Sequence, residues 1–282
     1  MQDIIISAIS DYTYDDLKVW INSMERCGYK GRKALVVHNI LDETIERLKD
    51  KGFEIFLTTD KRNSANDGYL YAPNFGNRVT VTRHFFNWYF LRQLTGIRNV
   101  ISVDIDIVFQ SDPSEWLEKN LGDKKLNYGC EALRYKDEGW GNQNLMNCFG
   151  HLIHDMMKDN PIYNAGSMAG EYNTFLDFSI ALYCVIEKIQ DSVPDQAGVN
   201  FLLSLEPYKS ITKFNDHDTN WACQAGTTAN PYKMPAFRPH LLSPEPVFDG
   251  HHIYNSKGEK YVLVHQYNKV PYWKEKLELI YG

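Results

Sequence analysis

The feature that most constrains this chain is the alternation of two hydrophobic periods within its first 57 residues. Ile4-Ile5-Ile6-Ser7-Ala8-Ile9 is a short, largely β-branched apolar run, and Ala34 to Val37 and Phe53 to Leu57 are two more. Runs of this length, bounded by polar residues, read as strands, the first of them buried. Between them, Leu17, Trp20, Ile21 and Met24 recur at helical spacing from Asp15 onward, with Gly28 as a stop. Leu41 to Lys51 is a second helical segment, ended by Gly52. The order strand, helix, strand, helix, strand predicts a βαβαβ half of an open parallel sheet, because right-handed crossovers lay successive strands side by side. The first strand is not followed by G-x-G-x-x-G, so the usual dinucleotide fingerprint is excluded.

Beyond this half, Thr58 to Asn77 is polar and rich in Asn, Asp and Gly, which predicts a long loop of the kind that closes over a ligand. Arg78 to Gln93 carries Phe85, Phe86, Trp88, Tyr89 and Phe90 on nearly every face, predicting a helix packed on most sides. Arg83 and Asn87 stand four residues apart in it and share a face. After Gly96, Val100 to Val103 reads as a fourth strand running into Asp104-Ile105-Asp106, and Pro113 suits the first turn of a short helix near Glu115 to Lys119. The remainder is less regular. We expect a strand at Leu126 to Cys130, a Gly/Asn-rich loop at Gly139 to Asn147, helices near Leu145 to Met157 and Thr174 to Ile189, and a strand at Tyr261 to Val264.

A net charge of −6 and a pI near 5.9, with no basic stripe, argue against a nucleic-acid partner. An acidic protein that handles a small anionic ligand does so locally, with a metal ion or backbone amides. The five cysteines include no C-x-x-C pair and suggest neither a disulfide framework nor a thiolate zinc site, so a reducing, cytoplasmic setting is expected. Met1 to Ser7 lacks a basic leader, and no stretch reaches membrane-spanning length, which leaves room only for a peripheral membrane contact.

Asp104 and Asp106 follow an apolar strand, and in open α/β sheets the C-terminal strand edge is where ligands bind. Alternate residues of a strand point the same way, so both carboxylates can reach one hard divalent ion, Mn²⁺ or Mg²⁺, that shares its sphere with phosphates. His265 follows the strand at Tyr261 to Val264 and would supply the third ligand that two aspartates lack. Asn164 and Gly166 allow close approach to a bound sugar but equally suit an ordinary turn. Asp195-Gln196 has the form of a helix N-cap.

Val103-Asp104-Ile105-Asp106-Ile107-Val108-Phe109-Gln110-Ser111-Asp112-Pro113 resembles the D-x-D region of GT-A glycosyltransferases, where an apolar strand, two aspartates and an F-x-x-D-P segment occur together. Three later segments match in order: Tyr163 to Gly170 is similar to their N-A-G-x-x-x-G stretch, Asp195 to Asn200 to their D-Q-x-x-x-N segment, and Val264 to Asn268 to the C-terminal segment that supplies a metal-binding histidine. Asn268-Lys269 stands where relatives carry Asp-Arg. The likeness runs from the first strand to residue 268 and is to the broad group of glycogenin-like and bacterial or viral sugar transferases.

The resemblance implies one α/β domain over 1–282, with an open, mostly parallel sheet flanked by helices: a nucleotide-sugar half at 1–112 and an acceptor half at 113–282. It implies a nucleotide diphosphate sugar donor, a UDP-sugar first among them, and a glycan or glycoconjugate acceptor. The metal falls to Asp104, Asp106 and His265, the chemistry to Asp195, Gln196 and Asn164, and substrate contacts to Ala8, Ile9, Ser10, Arg83, Asn87, Ile105 and Gly166. Asp195 is the candidate base if the reaction inverts, and Tyr12 and Tyr14 are candidate base-stacking rings. Three rivals stand beside this reading. They are a zinc hydrolase built on His151, His154 and Asp155, a non-catalytic sugar-binding module keeping Trp140, Trp221 and Trp273 in its pocket, and a nucleotidyltransferase, whose glycine-rich basic loop Ser7 to Tyr14 lacks. Asp216-His217-Asp218 and Asp249-Gly250-His251-His252 read as solvated loops or acceptor-site lining.

Overall fold

In a computed structural model the chain is described over residues 1–58, 79–189 and 193–282. The expected loop after Thr58, and Arg78, lie outside these residues. The elements run β1 (Gln2–Ser10), α1 (Tyr14–Arg26), β2 (Arg32–His38), α2 (Asp42–Asp50), β3 (Phe53–Leu57), α3 (Val79–Leu91), β4 (Ile97–Val103), β5 (Ile107–Phe109), α4 (Pro113–Asn120) and β6 (Leu126–Arg134). They continue as α5 (Gly139–Met157), β7 (Pro161–Tyr163), β8 (Ser167–Glu171), α6 (Tyr172–Ile186), α7 (Asp195–Leu203), α8 (Tyr208–Ile211), β9 (Thr212–Asn215), β10 (Ala222–Gln224), α9 (Ala225–Thr228), α10 (Met234–Phe237), β11 (Val247–Phe248), β12 (Ile253–Tyr254), β13 (Leu263–His265) and α11 (Pro271–Tyr281).

The expected α/β architecture is the one adopted. The main sheet has the order β3-β2-β1-β4-β8-β6-β7, with β9 paired to β6. From β3 to β4 it is parallel; β8, β6 and β7 then add antiparallel pairings. The continuous apolar runs seen in the sequence follow from burial on both faces. Ile4 and Ile6 face Phe86 and Phe90 of α3 and Phe175 and Phe178 of α6, whereas Ile5 and Ile9 face Leu17, Trp20 and Ile21 of α1. A capping box between Thr13 and Asp16 sets the start of α1.

The chain runs outward from β1 through β2 to β3, then returns to lay β4 on the other side of β1. The β1–β4 junction is therefore a topological switch point, where the loops leaving two adjacent strands diverge and open a crevice. A second sheet, β10-β13-β5, sits against this edge; β13 runs antiparallel to β5 with His265 opposite Ile107.

Several expectations are corrected. Gly139 to Asn147 is helical, not a loop: Glu138 caps α5 by accepting the Gly141 amide, and Leu145 packs against Tyr135, Met157 and Ile162, so tertiary burial overrides the poor helix propensity of glycine and asparagine. The helix kinks at Gly150, whose φ is 75°. His217 is fully buried rather than solvated, with Nε2 accepting the Gln224 amide, and burial pushes its pKa down to about 4. Trp221 and Trp273 are core residues. Among the described residues no helix is long and apolar enough to cross a membrane.

Candidate active site

The two aspartates converge for a different reason from the one the strand period offers. β4 ends at Val103, and Asp104 to Asp106 form the turn into β5. That turn is pinned from both sides, Asp104 N–H donating to the Gly166 carbonyl at 3.0 Å and Gln266 N–H to the Asp106 carbonyl at 3.0 Å. The second contact ties it to the residue after His265. As a result His265 Nε2 lies 3.2 Å from Asp106 Oδ1 and 3.5 Å from Asp104 Oδ2.

Three observations fit this cluster to a divalent cation. Among the described residues Asp104, Asp106 and His265 are the one group of three or more potential ligands whose donor atoms lie close together. His265 is 2% exposed, and its buried Nε2 faces the Asp106 and Asp104 carboxylates. Two carboxylate oxygens and one imidazole nitrogen suit Mn²⁺ or Mg²⁺, Mn²⁺ accepting the nitrogen more readily. Burial opposes a charge on His265, but Asp106 and Asp104 outweigh it and push its pKa up to about 10. Gly166 keeps the space open, since a Cβ there would strike the Asp104 carboxylate and lie 2.9 Å from His265 Nε2. Gly166→Ala is expected to weaken Mn²⁺ binding by tenfold or more, roughly the lower end of what one misplaced ligand costs. Unchanged affinity by calorimetry would show that the ion does not sit there.

Arg83 organises the opposite wall. It reaches in from α3 with one nitrogen paired to Asp104 and the other 3.0 Å from Asp195 Oδ2. Burial raises the Asp104 pKa, but Arg83 and His265 prevail and hold it well below the usual carboxylate range. At Asp195 burial prevails over Arg83 and the pKa is raised. Asp195 is the first residue of α7 rather than its cap; its Oδ1 accepts the Gln196 amide at 2.8 Å.

Two cavities meet at Arg83 and Asp104. The larger, about 450 Å³, lies over the switch point between Ala8, Ser10, Tyr12, Ile105, Asp106 and Lys269. The smaller, about 180 Å³, lies between Asn164, Gly166, Asp195, Gln196, Glu131 and Trp140. Ile9 and Asn87 do not line either: Ile9 faces the α1 side of the sheet, and Asn87 is 1% exposed with its amide 3.4 Å from Ser102 Oγ. Glu131, Thr227, Lys233 and Gln266 also line the smaller cavity and Gln224 backs His265, none of them marked by a motif. Glu131 alone carried a signal, a carboxylate inside the apolar strand β6. Asn164 links the two groups of residues, donating to Glu131 Oε1 at 2.8 Å and accepting the Gly166 amide at 2.7 Å. Elsewhere, His154 Nε2 lies 2.7 Å from Asn142 Oδ1, and no zinc-like cluster forms around His151 and His154 among the described residues.

Comparison with solved structures places this open α/β sheet among known folds. The chain is similar to the galactosyltransferase LgtC bound to donor and acceptor sugar analogues, at 15% identity and a TM-score of 0.55 over 93% of this chain and 86% of that one. It is similar to the bifunctional glycosyltransferase WbbM, at 14% identity and a TM-score of 0.59 over 98% of this chain and 50% of that one. It is also similar to GlyE of Streptococcus pneumoniae TIGR4, at 14% identity and a TM-score of 0.54 over 99% of this chain and 63% of that one. No family model matches the sequence. No curated protein matches it either. The chain thus has the fold of GT-A-type glycosyltransferases.

Proposed function

We propose that this chain is a metal-dependent glycosyltransferase that moves a sugar from a nucleotide diphosphate sugar to a hydroxyl of a glycan or glycoconjugate. The observation that carries this reading is the meeting of two cavities at Asp104, where the buried Nε2 of His265 faces both aspartates, at the switch point of a GT-A sheet. The larger cavity is of a size for a nucleoside diphosphate, with Tyr12 as a ring at its wall and Lys269 as a cation for phosphate. The smaller is of a size for one sugar ring, its polar walls supplied by Asn164, Asp195 and Gln196.

Asp104, Asp106 and His265 would hold the divalent ion, which when bound neutralises charge on the diphosphate as it leaves. Arg83 pairs with both Asp104 and Asp195 and so ties the cluster to the wall of the sugar cavity. Asn164, itself held by Glu131 and the Gly166 amide, presents a fixed amide edge to the sugar. In an inverting reaction Asp195, whose raised pKa suits proton uptake, takes the acceptor's hydroxyl proton; a retaining reaction requires no such base.

The test is nucleotide release from a panel of UDP, GDP and dTDP sugars, first with Mn²⁺ and then with EDTA. Release from one donor that EDTA suppresses is the expected result. A donor that binds without turnover under any metal would favour the binding-module reading, and no binding of any donor would sink both.

A further inference from the structure

A buried histidine can turn either ring nitrogen to a neighbour, and His265 presents Nε2 to the two aspartates. We propose that Gln224 is a positioning residue for the metal centre: its carboxamide oxygen keeps a proton on His265 Nδ1 and so turns Nε2 into the ligand. The inference rests on the metal reading above and assigns a role outside the ligand set.

Gln224 lies on β10 directly beside His265 in the parallel β10–β13 pairing, and its Oε1 is 2.8 Å from His265 Nδ1. A neutral imidazole has one N–H, and the partner of one nitrogen decides which of them keeps it. An oxygen facing Nδ1 fixes the proton there; an amide nitrogen facing it would do the reverse. The orientation of the carboxamide therefore matters, and the structure determines it through a chain of donors that runs one way.

His265 Nδ1 lies 2.8 Å from Gln224 Oε1, an oxygen that can only accept, and Gln224 Nε2 donates to Ser167 Oγ at 3.0 Å. Ser167 Oγ donates to Asn164 Oδ1 at 3.4 Å, and Asn164 Nδ2 donates to Glu131 Oε1 at 2.8 Å. Asn164 cannot be reversed without setting its amide nitrogen against the Gly166 N–H, and with Asn164 so fixed Ser167 donates to it and takes its own bond from Gln224 Nε2, which leaves Oε1 to face His265. All five side chains belong to residues no more than 8% exposed, so water does not readily replace a lost partner. The Gly166 N–H, which can only donate, anchors the direction by facing Asn164 Oδ1 at 2.7 Å. The backbone leaves Gln224 little freedom to move away, since its N–H donates to His217 Nε2 and its carbonyl accepts from Thr227 and Thr228.

The experiment measures Mn²⁺ binding by calorimetry, without nucleotide or turnover, on the whole chain and on Gln224→Met, Gln224→Glu and Ser167→Ala, with unfolding curves in EDTA to show which variants fold. Methionine keeps the bulk but removes the acceptor; glutamate keeps the acceptor. Lost outer partners of a ligating histidine typically cost about 10- to 100-fold in affinity, so Gln224→Met should lose at least tenfold while Gln224→Glu stays within about threefold. Ser167→Ala frees the carboxamide to flip and should fall between them, and it carries the test if the methionine variant does not fold. With Mg²⁺ bound, long-range ¹H–¹⁵N spectra should place the His265 proton on Nδ1. Wild-type affinity in Gln224→Met, an equal loss in Gln224→Glu, or a proton on Nε2 would overturn the assignment while leaving the metal site intact. A wild-type chain that binds no Mn²⁺ would remove the metal reading and this inference together.

Discussion

Asp106→Asn should abolish metal-dependent nucleotide release while leaving a folded protein. The change is nearly isosteric, so the turn between β4 and β5, held by the Asp106 carbonyl rather than its side chain, has no reason to open. What is lost is one of two anionic ligands. A metal stabilising a developing phosphate charge is worth several kcal/mol, and each 1.36 kcal/mol is a factor of ten, so a fall of at least about 10²-fold in turnover is expected. A second measurement does not depend on catalysis. Mn²⁺ at 100 times its Kd stabilises a binding protein by about 2.7 kcal/mol, a rise of several degrees in Tm that the variant should not show. If Asp106→Asn keeps both the thermal shift and the turnover, the ion is elsewhere and the role given to this turn is wrong.

The first half of the fold was legible because its physics is local. Ile4 to Ile9 and Ala34 to Val37 are buried strands and Phe53 to Leu57 is a half-buried edge strand, with periodic helices between them, and local period and crossover handedness suffice to order them. The aspartate pair was legible too, although its geometry comes from a pinned turn rather than from the pleat. Gly139 to Asn147 was misread because its helix depends on the Glu138 cap and on contacts of Leu145 that no local window contains. The same limit hides the polar chain behind His265. Gln224 and His265 are 41 positions apart, and Gln224 and Ser167 are 57 apart. Their roles exist only once β10, β13 and β8 meet, and an isolated glutamine or serine in an apolar run carries no signal of a partner. Ile9 and Asn87 mark the opposite case: each sits at the right place along its element, but the phase of the element turns it away from the cavities.

Arg83→Met should be the most destabilising single change in the site. Arg83 and Asp195 are both about nine-tenths buried, and the guanidinium is the cation that balances Asp195 and, at its other end, Asp104. Removing it leaves a carboxylate in a dry wall with a like charge near by, which typically costs about 3–5 kcal/mol. The sign of the pH dependence follows. In the variant, burial and Asp104 both raise the Asp195 pKa and Arg83 no longer opposes them, so the native state holds a proton that the unfolded chain, titrating near about 3.9, has lost. The stability deficit is then absent below that unfolded value and grows as pH rises towards the folded one, so it should shrink as pH is lowered from 7 towards 5. Denaturant unfolding of wild type and variant across that range measures it. Adding Asp195→Asn to the variant removes the orphaned charge and should recover most of the stability, while turnover stays lost because Asp195 and Arg83 shape the sugar cavity together. If the double variant regains turnover, Arg83 serves only to solvate a structural carboxylate; if the single variant loses less than about 1 kcal/mol, the value of an exposed pair, the ion pair does not hold this wall in solution.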